Sequence, residues 1–208
     1  GYAQENQPEP KRGSILPGYI ITLQGDTVKG YLLNINLWLN QKMTFLYKDS
    51  ADREGRVKYK PKEIKAYQVG PRYYESVDHP FTNSMRSDNF LLRKVDGRIK
   101  YYVWYFDEDK TKLTYSDNIS LADLGKAFLF DESELWKNEF ARKGNEVTLT
   151  EFGLKFLMKF AKNMSEFVSD DVELAQKIAG KTEGYKNINI EAIIREYNDW
   201  HLKTQLKK

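Results

Sequence analysis

Residues Tyr19–Asn34, YIITLQGDTVKGYLLN, decide how the first part of this chain folds. Gly25-Asp26 suits a two-residue hairpin loop that needs positive φ, so the stretch predicts a β-hairpin with Gln24 opposite Thr27. Counting outward pairs Leu23 with Val28, Ile21 with Gly30 and Tyr19 with Leu32 on one face. Thr22 and Lys29 share the other, wetter face with Gln24 and Thr27. Gly30 opposite Ile21 leaves a gap, which predicts a bend or a neighbour packed against it.

Strand signals continue for another hundred residues. Ile35–Gln41 (INLWLNQ) is a connector whose Leu37, Trp38 and Leu39 fold back onto the core. Lys42–Lys48, Arg56–Tyr59, Glu63–Val69 and Arg72–Val77 follow as strands, separated by Asp49–Gly55, Pro61 and Gly70-Pro71. A second hairpin joins Phe90–Val95 to Arg98–Phe106 through Asp96-Gly97, a strong short turn signal. Large side chains on both faces of Arg98–Phe106 predict a central strand, covered on both sides. Lys112–Tyr115 and Ala127–Phe130 are further strand candidates. Glu134–Glu151 suits either a helix or a strand pair turning at Lys143-Gly144-Asn145, and the β-prone Val147-Thr148-Leu149 favours the strands.

The period then changes. Thr148 and Glu151 form a capping-box pattern, and Phe152, Phe156, Phe160 and Met164 recur every fourth residue. Asp170 with Glu173 opens a second helix that ends at Gly180. Asn189 caps a third, with Ile188 and Ile193 as a hydrophobic staple and Ile190, Ile193, Ile194 and Tyr197 as its buried face. Strands followed by helices make an α+β plan: an N-terminal antiparallel β-rich sheet or partly open barrel, then a C-terminal three-helix segment. The expected division is a disordered N-terminus over 1–17, a β-rich domain over 18–149 and a helical segment over 150–208 packed on the sheet.

The 208 residues carry 33 basic and 30 acidic side chains, a net charge of +3 that gives no reason to expect a nucleic-acid partner. No apolar run approaches the roughly 18 residues a membrane span needs. With no cysteine, the chain has no disulfide, thiol nucleophile or thiolate metal site. Gly1-Tyr2-Ala3 has the small-x-small form of a signal-peptidase site, which predicts export.

Three segments carry a family resemblance: Gly18–Leu33 (GYIITLQGDTVKGYLL), Phe90–Tyr102 (FLLRKVDGRIKYY), and the tail FVSDDVELAQKIAG followed by Ile190–Asn198 (IEAIIREYN). Together they resemble a family of uncharacterised exported, signal-peptide-bearing proteins from Bacteroidetes. The tail of that family often reads Asp-Cys-Pro where this chain has Asp170-Asp171-Val172. The resemblance implies a periplasmic or extracellular location and brings no catalytic residues. Asp49-Ser50-Ala51 matches the short acceptor pattern of exported glycoproteins in that phylum.

Chemistry is sparsely marked. His79, within Asp78-His79-Pro80, and His201, beside Trp200, are the two histidines, and neither has metal-ligand spacing. Asp107-Glu108-Asp109 suits a solvated acidic turn better than a dedicated cation loop. There is no Gly-x-Ser-x-Gly elbow and no phosphate-cradling glycine loop. No catalytic residue, cofactor or metal site is assigned. The suggestive feature is aromatic: Tyr102 and Trp104 on one face of the central strand, together with Tyr73 of the Tyr73-Tyr74 pair, offer rings for stacking on a sugar or peptide.

The expected function is a non-catalytic exported module that binds a protein, peptide or glycan of the cell envelope through its sheet. A hydrolase using dispersed carboxylates and a small-ligand carrier with an apolar cavity are the alternatives.

Overall fold

In the computed structural model, residues 9–51, 54–77, 89–106, 121–129 and 131–207 are described, apart from the side chains of 121–124 and 134. The strands are β1 (Ile15–Thr22), β2 (Thr27–Leu33), β3 (Thr44–Tyr47), β4 (Val57–Tyr59), β5 (Ile64–Val69), β6 (Arg72–Ser76), β7 (Phe90–Val95), β8 (Ile99–Phe106), β9 (Trp136–Lys143) and β10 (Thr150–Glu151). They form one open antiparallel sheet in the order β10-β9-β8-β7-β6-β5-β1-β2-β3-β4. The helices are α1 (Leu121–Phe128), α2 (Leu154–Met158), α3 (Phe160–Phe167), α4 (Val172–Ala179) and α5 (Ile190–Gln205). The architecture is α+β, with an open sheet rather than a barrel and helices closing the chain. The chain divides into two compact units, Gly1–Leu92 with Trp104–Lys137, and Arg93–Val103 with Asn138–Lys208.

The opening hairpin forms, but not in the expected register. Ile20 pairs with Val28, Gly18 with Gly30 and Leu16 with Leu32. The loop has three residues rather than two. The Gly25 N–H donates to the Thr22 carbonyl, the Thr22 N–H donates to the Asp26 carbonyl, and Gly25 takes φ +99°. This is a tight turn followed by a left-handed glycine, the usual three-residue hairpin solution. The register moves by an odd number, so β1 turns over relative to β2. Ile20 is therefore buried, while Leu23, expected inside, is 49% exposed at the loop. Gly30 does have a packed neighbour, though across from Gly18 rather than Ile21.

In the first unit, adjacent residues of β2 and β3 feed opposite faces of the sheet. Leu32 and Leu46 join Ile20, Ile64, Tyr67, Val69, Tyr74 and Phe90. Leu33, Phe45 and Tyr47 join Ile35, Leu39, Met43 and Ala127. Tyr67 stacks on Tyr74 at 4.9 Å and meets Phe90 edge-on at the same distance, a geometry that satisfies the ring quadrupoles. In the expected strand Ala127–Phe130, Ala127 and Phe128 are instead the end of α1 and Leu129 is a turn, while Phe130 lies outside the described residues. Leu121, Leu124 and Phe128 recur at helical spacing, and the AFLF run looks like a strand only when read apart from them.

The connector Ile35–Gln41 folds back as expected, and its polar residues hold it there. Asn40, fully buried, accepts from the Ile35 N–H at 2.9 Å and donates to the Leu33 carbonyl at 3.1 Å. Asn36 accepts from the Leu39 N–H and donates to the Ala127 carbonyl, tying the connector to α1. Gln41 exchanges two hydrogen bonds with the Tyr105 backbone, and the Leu37 N–H donates to Glu132 at 2.7 Å. Backbone groups buried in a loop must find partners, and here asparagines and a glutamine supply them.

In the second unit, β9 and β10 confirm the strand pair, with Thr150 opposite Ala141 and Glu151 opposite Phe140. The return strand, expected over Glu146–Leu149, includes none of those residues and lies at Thr150–Glu151 instead, with Val147 89% exposed. Thr150 and Glu151 being strand, the expected capping box does not form; Gly153 stands at the N-terminus of α2. The expected first helix is two, broken at Lys159 (φ −121°, ψ 37°), where the Asn163 side chain donates to the Phe156 carbonyl. The second helix is capped by Asp171, not Asp170, through the Leu174 N–H at 3.1 Å. Asp170 is occupied elsewhere. In α5, Ile190, Ile193, Ile194 and Tyr197 are all buried as expected, but Ile188 is 85% exposed and forms no staple.

Candidate functional site

The aromatic row does not present a surface. Tyr102 is 0% and Trp104 3% exposed, so both rings belong to the core. Arg142 donates to the Tyr102 hydroxyl at 3.0 Å, and Trp104 stacks on Phe106 at 5.2 Å. The Lys42 ammonium lies over both the Trp38 and Trp104 rings, 5.7 and 5.8 Å from their centroids. Tyr73, on β6 opposite Gln68, is half-buried. A central strand has neighbours on both sides and layers on both faces, which removes the accessible ring faces that sheet-borne stacking needs. Among the histidines, His201 is half-buried on α5 with its ring 6.4 Å from that of Tyr197. Asp78, His79 and the Asp107 turn lie outside the described residues, as does the strand candidate Lys112–Tyr115.

The shifted titrations trace the scaffold. Burial pushes the Tyr67 phenol well above its ordinary range, with Tyr74 adding to the effect. Burial also raises Tyr74, against a smaller opposing pull from the Arg72 guanidinium. Arg72 donates to Asn34 at 3.2 Å and pairs with Glu9. In the second unit, Asp170 receives Lys143 Nζ at 2.6 Å on one oxygen and the Tyr197 hydroxyl at 2.5 Å on the other. Lys143 also donates to the Phe167 carbonyl, so one clasp joins β9, the end of α3 and α5. Burial alone would raise the Asp170 pKa, but the hydrogen bonds from Lys143 and Tyr197 bring it below the ordinary range. Among the described residues no group of three or more His, Cys, Asp or Glu side chains is placed to hold a metal ion.

Two surface recesses lie in the second unit. One, about 540 Å³, lies between α4 and α5 and is lined by both signs of charge. Lys177 is 3.0 Å from Glu173 and 3.4 Å from Glu196, and Tyr185 donates to Glu196 at 3.0 Å.

The other is a groove of about 840 Å³ running along α2 and α3 to the end of α4 and the loop after it. Its apolar floor includes Leu157, Met158, Phe160 and Ala161, and Lys159, Lys162, Lys181 and Lys186 line it with no Asp or Glu among the lining residues. Met158 is 76% exposed. The helix break at Lys159 shapes the groove: a continuous helix would carry Leu157, three residues before Phe160 and seven before Met164, onto their buried face. The groove's hydroxyls are already engaged, Ser165 with the Lys162 carbonyl and Tyr185 with Glu196. Apolar floor, cationic rim and committed hydroxyls suit holding a ligand rather than transforming one.

No sequence signal singled this groove out. Each lysine alone reads as solvated surface, and the helix break that brings them together is not marked by Pro or Gly. Comparison with protein-family models, with curated proteins and with solved structures finds no match for this chain.

Proposed function

We propose that this protein is a non-catalytic binding module of the cell envelope, and that the lysine-rimmed groove along α2, α3 and the end of α4 holds its partner. The groove carries the reading: an open apolar floor ringed by four lysines and no carboxylate is an unusual thing to leave facing water. The envelope assignment rests on the family resemblance of the three segments quoted above. The binding surface thereby moves from the sheet, where Tyr102 and Trp104 are buried, to the helices.

The test is selection from a random peptide display library on the immobilised chain, with binders challenged by Ala179→Trp. Ala179 lines the groove and is exposed, so the indole fills the recess without entering the core. Loss of the selected binders to this variant is the expected result. Undiminished binding would place the partner surface elsewhere. Turnover of an envelope glycan or peptide, abolished by changing a single carboxylate, would replace a binding module with a hydrolase.

A further inference from the structure

Resting on the groove being the binding surface, we infer that its occupant is an acidic amphipathic helix of another protein. The helix lays apolar side chains on Leu157, Met158 and Phe160 and sets carboxylates against Lys159 and Lys181.

Charge is the first ground. In the neighbouring recess a lysine that ties two helices together is fully matched, Lys177 being held between Glu173 and Glu196. In the groove, Lys186 has Glu183 at 2.7 Å and Lys162 has Glu166 only at 4.0 Å. Lys159 and Lys181 have no ion pair among the described residues. An acidic partner supplies the missing counter-charges and is drawn in by the same field.

Lys181 is the second ground. Among the described residues it is the only non-glycine with positive φ, at +54°. It closes α4 in a Schellman arrangement, its N–H donating to the Ile178 carbonyl while the Thr182 N–H reaches Lys177. That left-handed position ordinarily belongs to glycine, and a side chain there is strained. Gly180 sits one residue too early, at φ −73°, in ordinary helical backbone. The strained position therefore carries a lysine that lines the groove. Strain retained at a surface site with no packing role points to recognition.

Backbone chemistry selects a helix over a strand. The groove is walled by helices and one loop, with no sheet edge among its lining residues. An extended peptide would bring unpaired N–H and C=O groups to a surface that offers no ladder, whereas a helix satisfies its own. The concave floor also favours a rod over a membrane plane, and the apolar floor favours carboxylates on an apolar scaffold over a phosphate backbone.

The probe is a fluorescein-labelled peptide of about sixteen residues with leucines at i, i+3, i+4 and i+7 and glutamates on its flanks. It is read by anisotropy against a lysine-flanked copy, a proline-interrupted copy and phosphatidylglycerol vesicles. The expected result is saturable binding of the glutamate peptide. The lysine copy binds at least about tenfold more weakly, and so does the glutamate peptide to the Lys159→Glu/Lys181→Glu chain. Raising salt from about 50 to about 500 mM weakens binding severalfold. Both lysines are exposed, and an unchanged melting temperature of the double variant keeps the comparison clean.

If both charge versions bind equally and Ala179→Trp blocks both, the groove is a binding site but the acidic partner is wrong. If the proline copy binds as well as the intact one, the helix is wrong. If vesicles bind in a lysine-dependent way and peptides do not, the surface is a membrane contact and the inference fails. Peptide binding indifferent to Ala179→Trp would overturn both the inference and the groove itself.

Discussion

Gly18 and Gly30 stand directly opposite each other in the β1–β2 ladder, each pressed against a further strand. A Cβ on Gly18 would run into the Gln68 carbonyl oxygen of β5 and come within 2.8 Å of Leu32 Cδ1. A Cβ on Gly30 would lie 2.7 Å from both the Tyr47 carbonyl oxygen and Leu46 Cδ1 of β3. Because backbone oxygens in a ladder cannot step aside, Gly18→Ala is expected to cost about 3 kcal/mol and Gly30→Ala about 2 kcal/mol. Urea midpoints at constant slope measure both. A Gly18→Ala chain as stable as the parent would mean that β1 and β5 do not approach this closely.

Asn40 is the pivot of the connector. Asn40→Ala leaves the Ile35 N–H and the Leu33 carbonyl buried without their partner, an expected loss of about 3 kcal/mol. A loss below about 1 kcal/mol would show that water replaces the amide, which the full burial of Asn40 opposes.

The Lys143–Asp170–Tyr197 clasp gives a pH signature. The Asp170 pKa is lowered on folding, so the unfolded chain takes up its proton first as pH falls. Its stabilisation is present above about pH 4 and is lost as pH drops through the folded value. Asp170→Asn is expected to cost about 1–2 kcal/mol near neutrality, with the gap to the parent closing below about pH 4. Unfolding curves for the two chains between about pH 3 and 7 measure it, and a gap independent of pH would remove the carboxylate from the account.

At the alkaline end, Tyr67 and Tyr74 have phenols raised chiefly by burial. The unfolded chain ionises them near pH 10, so the stability they carry is present below about pH 10 and lost above it. Phenolate absorbance and circular dichroism are expected to change together for these two of the 14 tyrosines, and Tyr67→Phe to flatten the loss. Complete tyrosine titration with the dichroism intact would contradict their burial.

Lys181→Gly separates stability from recognition. Relief of the left-handed lysine gains about 1–2 kcal/mol, offset by about 0.4–1 kcal/mol of added freedom in the unfolded chain. The net expectation is stabilisation of about 0.5–1 kcal/mol together with weaker binding of the acidic peptide. A more stable chain with unchanged affinity would leave Lys181 outside the binding surface.

Much of this was legible in the sequence where the physics is local. Asp96-Gly97 and Gly25 mark turns because few residues accept positive φ, and Gly97 is further constrained by Asn198, 2.6 Å from where its Cβ would be. The buried face of α5 was legible because four apolar residues at helical spacing admit one orientation. The connector's asparagines were not legible as structure, since Asn reads as surface until the backbone groups it serves are known. Nor was the groove, whose residues come from α2, α3, the end of α4 and the following loop.

By itself the sequence determined the order of strands then helices, because hydrophobic periods of 2 and 3.6 are properties of neighbouring residues. It left open which face of β1 turns inward, since a loop of two or three residues satisfies the same local pattern and only packing against β2 and β5 chooses. It left open whether Tyr102 and Trp104 meet solvent, because burial depends on strands and layers remote in the chain. The break at Lys159, and with it the lysine-lined apolar groove, came from tertiary packing for the same reason: a helix ends where its neighbours, not its propensities, stop supporting it.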